Sequence, residues 1–148
     1  MRVHLTRLSP DVPLPQYETP GAVAFDLAVA ETVTVAAYQI ARLRTGLIVA
    51  PPPGFALVIA PRSSAPVKRG LSFPHGIGIV DQDFCGPDDE LKLQVYNFTD
   101  QPVTIQKGER IAQGMFVPIE RAEWQESPPA ASSRGGFGST DTVPLIKG

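Results

Sequence analysis

The sequence predicts an all-β protein, a sandwich or barrel with one short helix, and three observations support this. Sixteen prolines and thirteen glycines in 148 residues leave little room for long helices. The segments between them alternate apolar and polar residues with a period of two. Many short strands separated by regular turn signals are typical of an all-β sandwich or barrel.

Seven segments are predicted to be strands, because most of them carry the period-two pattern and residues 55–59 form a short apolar run consistent with a buried strand. They are residues 3–8, 32–35, 46–49, 55–59, 91–96, 103–105 and 115–119. One helix is expected around residues 64–71. It should be short because Pro66, which lacks a backbone N–H, is expected to interrupt it.

Length and composition predict one domain followed by a tail. A hydrophobic fraction of 43% is sufficient for a single core, which we expect within residues 1–124. From residue 125 onward Ser, Pro, Ala and Gly dominate the sequence. Residues 125–148 are therefore predicted to form a flexible C-terminal arm.

Charge and apolar runs argue against two classes of partner. The net charge of −2 is unlike the basic surface of a general nucleic-acid-binding protein. No apolar run approaches the ~18–20 residues that cross a bilayer as a helix, so no membrane partner is expected. The single cysteine, Cys85, excludes an internal disulfide and favours a reducing compartment, which makes the cytoplasm the expected location.

Two short motifs place charge beside strand and turn residues. Asp26 lies between two apolar residues in a strand-like segment, where an acid either faces solvent or enters a polar site. In a polar site it would partner an arginine or bind a metal through water. Arg62, Ser63 and Ser64 follow a strand and open the predicted helix, so their N–H groups, hydroxyls and guanidinium suit a phosphate. Serines at a helix start also serve simply as caps.

A third motif spans residues 75–86, where an apolar strand runs into Asp81, Asp83 and an aromatic residue between glycines. The pattern predicts a β-hairpin that holds a flat ligand against its backbone. If the strand continues, Asp81 and Asp83 point to opposite sides and do not chelate one metal ion. Asp81 is the candidate general base, since a carboxylate is ionised at neutral pH and accepts a proton from water. Asp83 is interpreted as a turn residue.

Two further motifs lie toward the C-terminus. Residues 107–113 predict a hairpin turn that carries Glu109, followed by a strand with Arg110 and Gln113. Residues 132–140 place one ring, Phe137, among three glycines with hydroxyls on both sides. Such a segment cannot pack a core. It suits an arm that closes over a ligand, with the ring on a flat base and polar groups on phosphate oxygens.

Taken in order, these five motifs resemble those of the trimeric dUTPase family, the dUTP diphosphatases. Here they read Phe25-Asp26-Leu27, Pro61-Arg62-Ser63-Ser64, Gly78-Ile79-Val80-Asp81-Gln82-Asp83-Phe84-Cys85-Gly86, Gly108-Glu109-Arg110-Ile111-Ala112-Gln113 and the tail around Phe137. The resemblance covers nearly the whole chain. Phe84 stands where the family usually has Tyr, and His75 where it usually has Asn.

The resemblance implies a jelly-roll-like β fold and a homotrimer with active sites shared between subunits. It also implies hydrolysis of dUTP to dUMP and pyrophosphate. In that reaction Asp81 would activate a water for attack on the α-phosphorus, while Phe84 would lie under the deoxyribose and exclude a 2′-hydroxyl. The backbone between His75 and Gly78 would read uracil.

The same resemblance implies how the triphosphate is held. Arg62, Ser63, Ser64 and Gln113 would bind phosphates or brace the site, with Asp26 and Arg110 in supporting roles. In the tail, the implied ligands of uracil and the terminal phosphates are Arg134, Phe137, Gly138, Ser139 and Thr140. Mg²⁺ is the implied cofactor, held mainly by phosphates and water rather than by a protein cage.

Two alternatives remain open at the level of sequence. One is a dCTP deaminase, or a bifunctional deaminase and diphosphatase, which needs a carboxylate at the cytosine amino group; Glu90 is the nearest candidate. The other is an inactive β-sandwich that binds nucleotides or partners. Such a protein would be expected to have lost Asp81, Arg110 or Gln113, and all three are present.

Overall fold

A computed structural model of the chain describes residues 1–129 and 132–133. Within this part of the chain, short strands surround a single short helix. The strands are β1 (His4–Arg7), β2 (Phe25–Ala28), β3 (Val33–Val35), β4 (Ile40–Arg44), β5 (Leu47–Ala50), β6 (Phe55–Pro61), β7 (Leu71–Ser72), β8 (Gly78–Val80), β9 (Lys92–Asn97), β10 (Val103–Ile105) and β11 (Arg110–Pro118), and the helix is α1 (Ser64–Arg69). The all-β prediction is confirmed.

The strands of the described residues pair antiparallel in four sheets. The largest has the order β2-β11-β6-β8, and a second has the order β4-β9-β7. The pairs β1-β5 and β10-β3 complete the set. These sheets form a jelly-roll-like sandwich rather than a closed barrel. The seven strands predicted from the sequence pattern are confirmed, whereas β4 and the two-residue β7 were not predicted.

One hydrophobic core joins all four sheets. Each sheet contributes fully or almost fully buried side chains, among them Leu27, Val35, Leu43, Val49 and Leu93. Strand β9 shows the reason, since its buried residues alternate with more exposed ones along the whole strand. Complete burial of one such leucine contributes about 1.5–3 kcal/mol.

A buried asparagine at the end of β9 connects this strand to the end of β3 and to the loop before β10. Asn97 is fully buried, and its Nδ2 donates to the carbonyl oxygens of Val35, Ala36 and Gln101 at 2.8–3.1 Å. Its Oδ1 accepts from the backbone N–H and the hydroxyl of Thr99 at 2.9 and 2.7 Å. Because every polar atom is paired, this residue adds order to the core at little desolvation cost.

The helix forms where it was predicted, but the expected role of Pro66 was wrong. Pro66 lies in the first turn of α1, where an intrahelical N–H partner is not required, so it does not interrupt the helix. The helix ends instead at Gly70, which has the left-handed φ of 64° and donates its N–H to Pro66 at 3.0 Å. A glycine is the usual residue at this position.

Two turns predicted as hairpins have a different topology. The turn at His75–Gly78 lies between β7, which pairs with β9, and β8, which pairs with β6. The turn before Arg110 lies between β10, which pairs with β3, and β11, which pairs with β2 and β6. Each turn therefore crosses between sheets, a pairing that a local residue pattern does not specify.

Of the predicted C-terminal arm, residues 125–129 and 132–133 are described, and they have no helix or strand. The motif residues from Arg134 to Thr140 lie outside the described residues. Across the described ranges, no helix is long and apolar enough to cross a membrane.

Candidate active site

Two groups of predicted site residues occupy different parts of the sandwich, and the first lies on one face of the largest sheet. Gln113 on β11 is aligned with Asp26 on β2 and with Ala60 on β6. Directly opposed residues of antiparallel strands project to the same face, so Asp26 and Gln113 share a face. Arg62 follows two residues after Ala60 and meets Asp26 there.

An irregularity in β11 brings Arg110 to this face as well. Residues three apart on a regular strand point to opposite faces, which would separate Arg110 from Gln113. The register shifts between Arg110 and Ala112, so Arg110 is aligned with Ala28 while Gln113 is aligned with Asp26. Strand β11 therefore has one extra residue between Arg110 and Ala112. Such a β-bulge changes the direction in which the following side chains point.

A glycine holds the two strands of this group close together. Gly114 is aligned with Phe25, and a Cβ added at Gly114 would lie 2.7 Å from atoms of the Phe25 ring. No side chain fits at that distance. The close approach keeps Asp26 beside β11.

The charged side chains of the first group form ion pairs around Asp26, whose side chain is 11% exposed. Its Oδ1 lies 3.2 Å from Arg62 Nε, and its Oδ2 lies 3.1 Å from Arg110 Nη1. The hydrogen bond from Arg110 Nη1 goes to Glu18 Oε1, and Arg62 Nη1 donates to the Arg110 carbonyl at 3.3 Å. Gln113 Nε2 donates to the Pro61 carbonyl at 3.2 Å. Of the alternatives that the sequence leaves open for Asp26, pairing with an arginine is the one present in the structure.

The serines of the second motif lie at the start of α1. Ser63 occupies the N-cap position with helical φ and ψ, and its side chain makes no capping hydrogen bond. Ser64 is the first residue of the helix. At the other end of α1, Arg69 Nη2 lies 2.6 Å from Glu109 Oε1, which braces the helix against the turn before Arg110.

The second group lines a groove of about 550 Å³ beside β8. Its walls include His75, Gly78, Asp81 and Phe84, which were all predicted as site residues. Asp81 directly follows β8 and is exposed, and Phe84 is 41% exposed. The groove thus combines one carboxylate with an open aromatic face.

The strand ends at Val80, so the condition under which Asp81 and Asp83 would point to opposite sides of a strand is not met. Residues 81–84 form a turn in which the Phe84 N–H donates to the Asp81 carbonyl at 3.3 Å. Asp83 lies within this turn, in accord with its interpretation as a turn residue. The turn directs Phe84 back toward the groove that Asp81 lines.

His75 is exposed at the groove and held by its neighbours. Its ring stacks on Phe73 with centroids 5.9 Å apart. A Cβ added at Gly78 would lie 3.8 Å from His75 Nε2, so the imidazole lies over that glycine. His75 and Gly78 therefore form one continuous part of the groove wall.

The acidic residues Asp88, Asp89 and Glu90 also line the groove, and two of these carboxylates are held by hydrogen bonds. Glu90 is only 8% exposed, and both of its oxygens accept from Arg44 Nε, at 2.9 and 3.2 Å. Its Oε1 also accepts from the Gly46 N–H at 2.8 Å. This carboxylate raises the pKa of the Arg44 guanidinium above its ordinary value by hydrogen bonding and by charge. Asp89 is likewise engaged, with Oδ2 accepting from the Gly86 N–H at 2.7 Å.

Within one chain, the two groups line different cavities. Asp26 and Arg110 line a smaller cavity of about 240 Å³, together with residues of the N-terminal segment. Asp81 and Phe84 line the groove beside β8. Glu18 is the main residue of the first group that the sequence did not indicate. It lies 92 positions from Arg110, in a segment without regular structure, so no local pattern reveals the contact.

This geometry defines an all-β protein whose two clusters suit an anionic ligand that carries a flat ring, such as a nucleotide. A family model described as dUTPase matches residues 11–141. The deoxyuridine 5′-triphosphate nucleotidohydrolase of Thermobifida fusca is 41% identical over 145 residues, covering 95% of this chain and 79% of the relative. The enzyme of the same name from Lactococcus lactis is 38% identical over 130 residues, covering 86% and 87%.

Solved structures agree with these sequence matches. A dUTPase from Streptococcus mutans superposes with a TM-score of 0.76 at 32% identity and covers 82% of this chain and 98% of that one. A dUTPase of Staphylococcus bacteriophage 80alpha, solved with dUPNHPP, gives a TM-score of 0.82 at 24% identity, covering 93% and 97%, and supports the fold. The chain belongs to the dUTPase family.

Proposed function

We propose that this protein hydrolyses dUTP to dUMP and pyrophosphate, which keeps uracil out of DNA and supplies dUMP for dTMP synthesis. The observation that carries the proposal is the family match across residues 11–141, which includes all five motifs. The geometry of the groove agrees with it, because a carboxylate and an aromatic face lie side by side at Asp81 and Phe84.

In the proposed reaction Asp81 accepts a proton from a water molecule that attacks the α-phosphorus. The bond between the α-phosphorus and the bridging oxygen breaks, and pyrophosphate leaves with that oxygen. Asp81 suits this role because it is exposed at the groove. A general base must lie within hydrogen-bond reach of the proton that it removes.

The groove wall is proposed to select the nucleoside. Phe84, 41% exposed, would lie under the deoxyribose and leave no room for a 2′-hydroxyl. Backbone groups from His75 to Gly78 would hydrogen-bond the uracil edge. The stacking of His75 on Phe73 supports this because it fixes the turn that presents those groups.

The first group is proposed to hold the triphosphate, through Arg62, Ser63, Ser64 and Gln113. Arginine binds phosphate in a bidentate manner, and an N-cap serine without a capping bond has its hydroxyl available. Asp26 and Arg110 would support this site by fixing Arg62 and by balancing its charge. Phosphoryl transfer depends mainly on such positioning and charge stabilisation.

We infer a homotrimer in which each active site is shared between copies. The supporting residues Asp26 and Arg110 line one cavity and the nucleoside groove is another cavity of the same chain, so a neighbouring copy would bring the two groups together. Exposed apolar residues provide surface for such contacts. These residues are Val23, Ile40, Val67 and Ile79, which are 57–89% exposed.

The expected cofactor is Mg²⁺, and the residues present fit a metal that is held mostly by its substrate. The described ranges contain no group of three or more metal-binding side chains. Mg²⁺ commonly binds one or two carboxylates together with substrate phosphates and water. Asp81 and Gln113 are the oxygen-bearing side chains proposed to face it through water. When bound, the metal would neutralise charge on the triphosphate.

Residues 125–148 are proposed to be a flexible arm that closes over the bound nucleotide, beyond a domain of residues 1–124. Phe137 would stack on uracil, and Arg134, Gly138, Ser139 and Thr140 would contact the terminal phosphates. The family match extends to residue 141 and so includes this motif. Closure of such an arm would exclude bulk water from the reaction. The cytoplasm is the proposed location, in accord with the free thiol of Cys85.

One assay tests the proposed activity. The purified protein is incubated with Mg²⁺ and either dUTP, dCTP, dTTP or UTP, and pyrophosphate and ammonia are measured. Pyrophosphate from dUTP alone is expected. Ammonia from dCTP would instead identify a deaminase, and the absence of both products would identify a binding protein.

The deaminase is the weaker candidate because of the contacts of Glu90. A deaminase carboxylate must be free to exchange protons at the cytosine amino group. Both Glu90 oxygens accept hydrogen bonds from Arg44, and one also accepts from the Gly46 N–H. Glu90 is therefore committed to joining β4 and β5 to the segment before β9.

A further inference from the structure

Glu18 lies beside the proposed triphosphate site, outside the motifs discussed above. Its Oε1 accepts a hydrogen bond from Arg110 Nη1, and the two side chains are 50% and 43% exposed. The position of Glu18 is fixed by its neighbours in sequence. The Gln16 carbonyl accepts from the Asp26 N–H at 3.1 Å, and Tyr17 packs edge-on against Phe25 at 5.8 Å.

Asp26 and Glu18 share a single nitrogen of Arg110. Asp26 Oδ2 lies 3.1 Å from Arg110 Nη1, yet this buried oxygen has no hydrogen-bond partner among the described residues. The hydrogen bond from Nη1 goes to Glu18 instead. A buried carboxylate oxygen without a hydrogen bond is costly, so the contact with Glu18 leaves an unmet interaction at Asp26.

Charge balance gives the contact a consequence for an anionic ligand. Arg62 and Arg110 carry two positive charges, which Asp26 and Glu18 neutralise. A polyphosphate that approaches this face meets a neutral cluster. If the Glu18 side chain moves away from Arg110, the cluster gains a net positive charge. Arg110 Nη1 can then donate its hydrogen bond to Asp26 Oδ2.

We propose that Glu18 is an internal competitor for the substrate polyphosphate: it occupies Arg110 in the free protein, yields when the triphosphate binds, and thereby weakens substrate affinity. This inference rests on the proposed function. Glu18 is suited to such exchange because it is half exposed and reaches water without unfolding its segment. Loss of the contact between Arg110 and Glu18 is partly offset because the buried Oδ2 of Asp26 then accepts the hydrogen bond from Arg110.

The test compares Glu18→Gln with wild type and with Glu31→Gln, a matched charge change on the exposed connection between β2 and β3. For Glu18→Gln, KM for dUTP should fall by about two- to fivefold, the range set by one exposed ion pair. The inhibition constant of pyrophosphate should fall by a similar factor, and that of deoxyuridine, which has no phosphate, should stay the same. Raising the salt concentration should reduce the difference in KM between Glu18→Gln and wild type.

Glu31→Gln should match wild type in each measurement. An unchanged or higher KM for Glu18→Gln would overturn the proposal, because a residue that merely braces Arg110 gives that result. The proposal would also be overturned if the inhibition constant of deoxyuridine changed by the same factor as that of pyrophosphate. If wild type does not hydrolyse dUTP, the proposed function fails, and calorimetric titration of pyrophosphate into the three proteins still decides the role of Glu18.

Discussion

The two groups of site residues differ in what holds them. Around Asp26, strand register, a β-bulge and ion pairs fix the side chains on a sheet face. Around Asp81, the side chains project from a turn and remain exposed beside an open groove. The first group is therefore built into the stability of the domain, whereas the second is free to serve substrate. Substitutions should separate stability from turnover along this division.

The largest effect is expected from Asp81→Asn. Turnover of dUTP should fall by about a hundred- to ten-thousandfold because a general base is lost. The melting temperature should stay within a degree or two, since Asp81 is exposed. Steady-state kinetics and calorimetric titration of a non-hydrolysable dUTP analogue would show lost kcat with nearly unchanged affinity.

Asp83→Asn is the matched control, because it makes the same chemical change two residues away in the same turn. It should retain wild-type turnover. If Asp81→Asn keeps its activity, Asp81 has no role as the base. If both variants lose activity equally, the turn as a whole, rather than one carboxylate, matters.

The next largest effect should follow from deleting residues 132–148. The arm is proposed to close the open groove over the nucleotide. Its loss should lower kcat/KM by at least about a hundredfold, which is the effect of losing one electrostatic contact to a reacting group. Thermal unfolding should not change, because among the described residues the strands and the core lie before residue 119. Deletion of residues 142–148 alone, beyond the family match, is the control and should leave turnover intact. Equal activity of both truncations would remove the arm from the mechanism.

Asp26→Asn should give the opposite pattern to Asp81→Asn. It removes the carboxylate between Arg62 and Arg110, leaving two guanidinium groups without their shared partner. Stability should fall by about 1–2 kcal/mol, less than for a fully buried pair because both arginines are partly exposed. Urea unfolding measures this loss, and the same protein should show a raised KM for dUTP. A variant as stable as wild type would contradict the structural role of the group.

The sequence predicted this division only in part. The sequence pattern predicted seven of the strands, and the motifs named the residues of both groups apart from Glu18. Both predicted hairpins were wrong because the strand pairings around them depend on contacts distant in sequence. Strands β7 and β8 pair with β9 and β6, and strands β10 and β11 pair with β3 and with β2 and β6. The buried Glu90 is paired with Arg44, which lies 46 positions away in the sequence. Ion pairs between distant segments leave no periodic signal in a single sequence.

The smallest effect concerns an exposed pair near the first group. Lys107 contacts Asp11, and this contact joins the N-terminal segment to the turn before Arg110. A side-chain hydrogen bond from Lys107, followed by one from Ser9, lowers the pKa of Asp11 from 3.8 to about 2. A carboxyl group whose pKa is lower in the folded protein than in the unfolded chain stabilises the fold. This stabilisation is complete at pH values above the pKa of the group in the unfolded chain. That stabilisation is lost as the pH falls from about 4 through 2.

Asp11→Asn should therefore be slightly less stable than wild type at pH 5, and the difference should shrink toward zero at pH 2. Urea midpoints at pH 5, 4, 3 and 2 measure this, with Asp100→Asn on another exposed turn as the control. Because both partners of the pair are about half exposed, the shift should be small and should diminish in high salt. A difference that grows on acidification would mean that the carboxylate of Asp11 is not stabilised by Lys107.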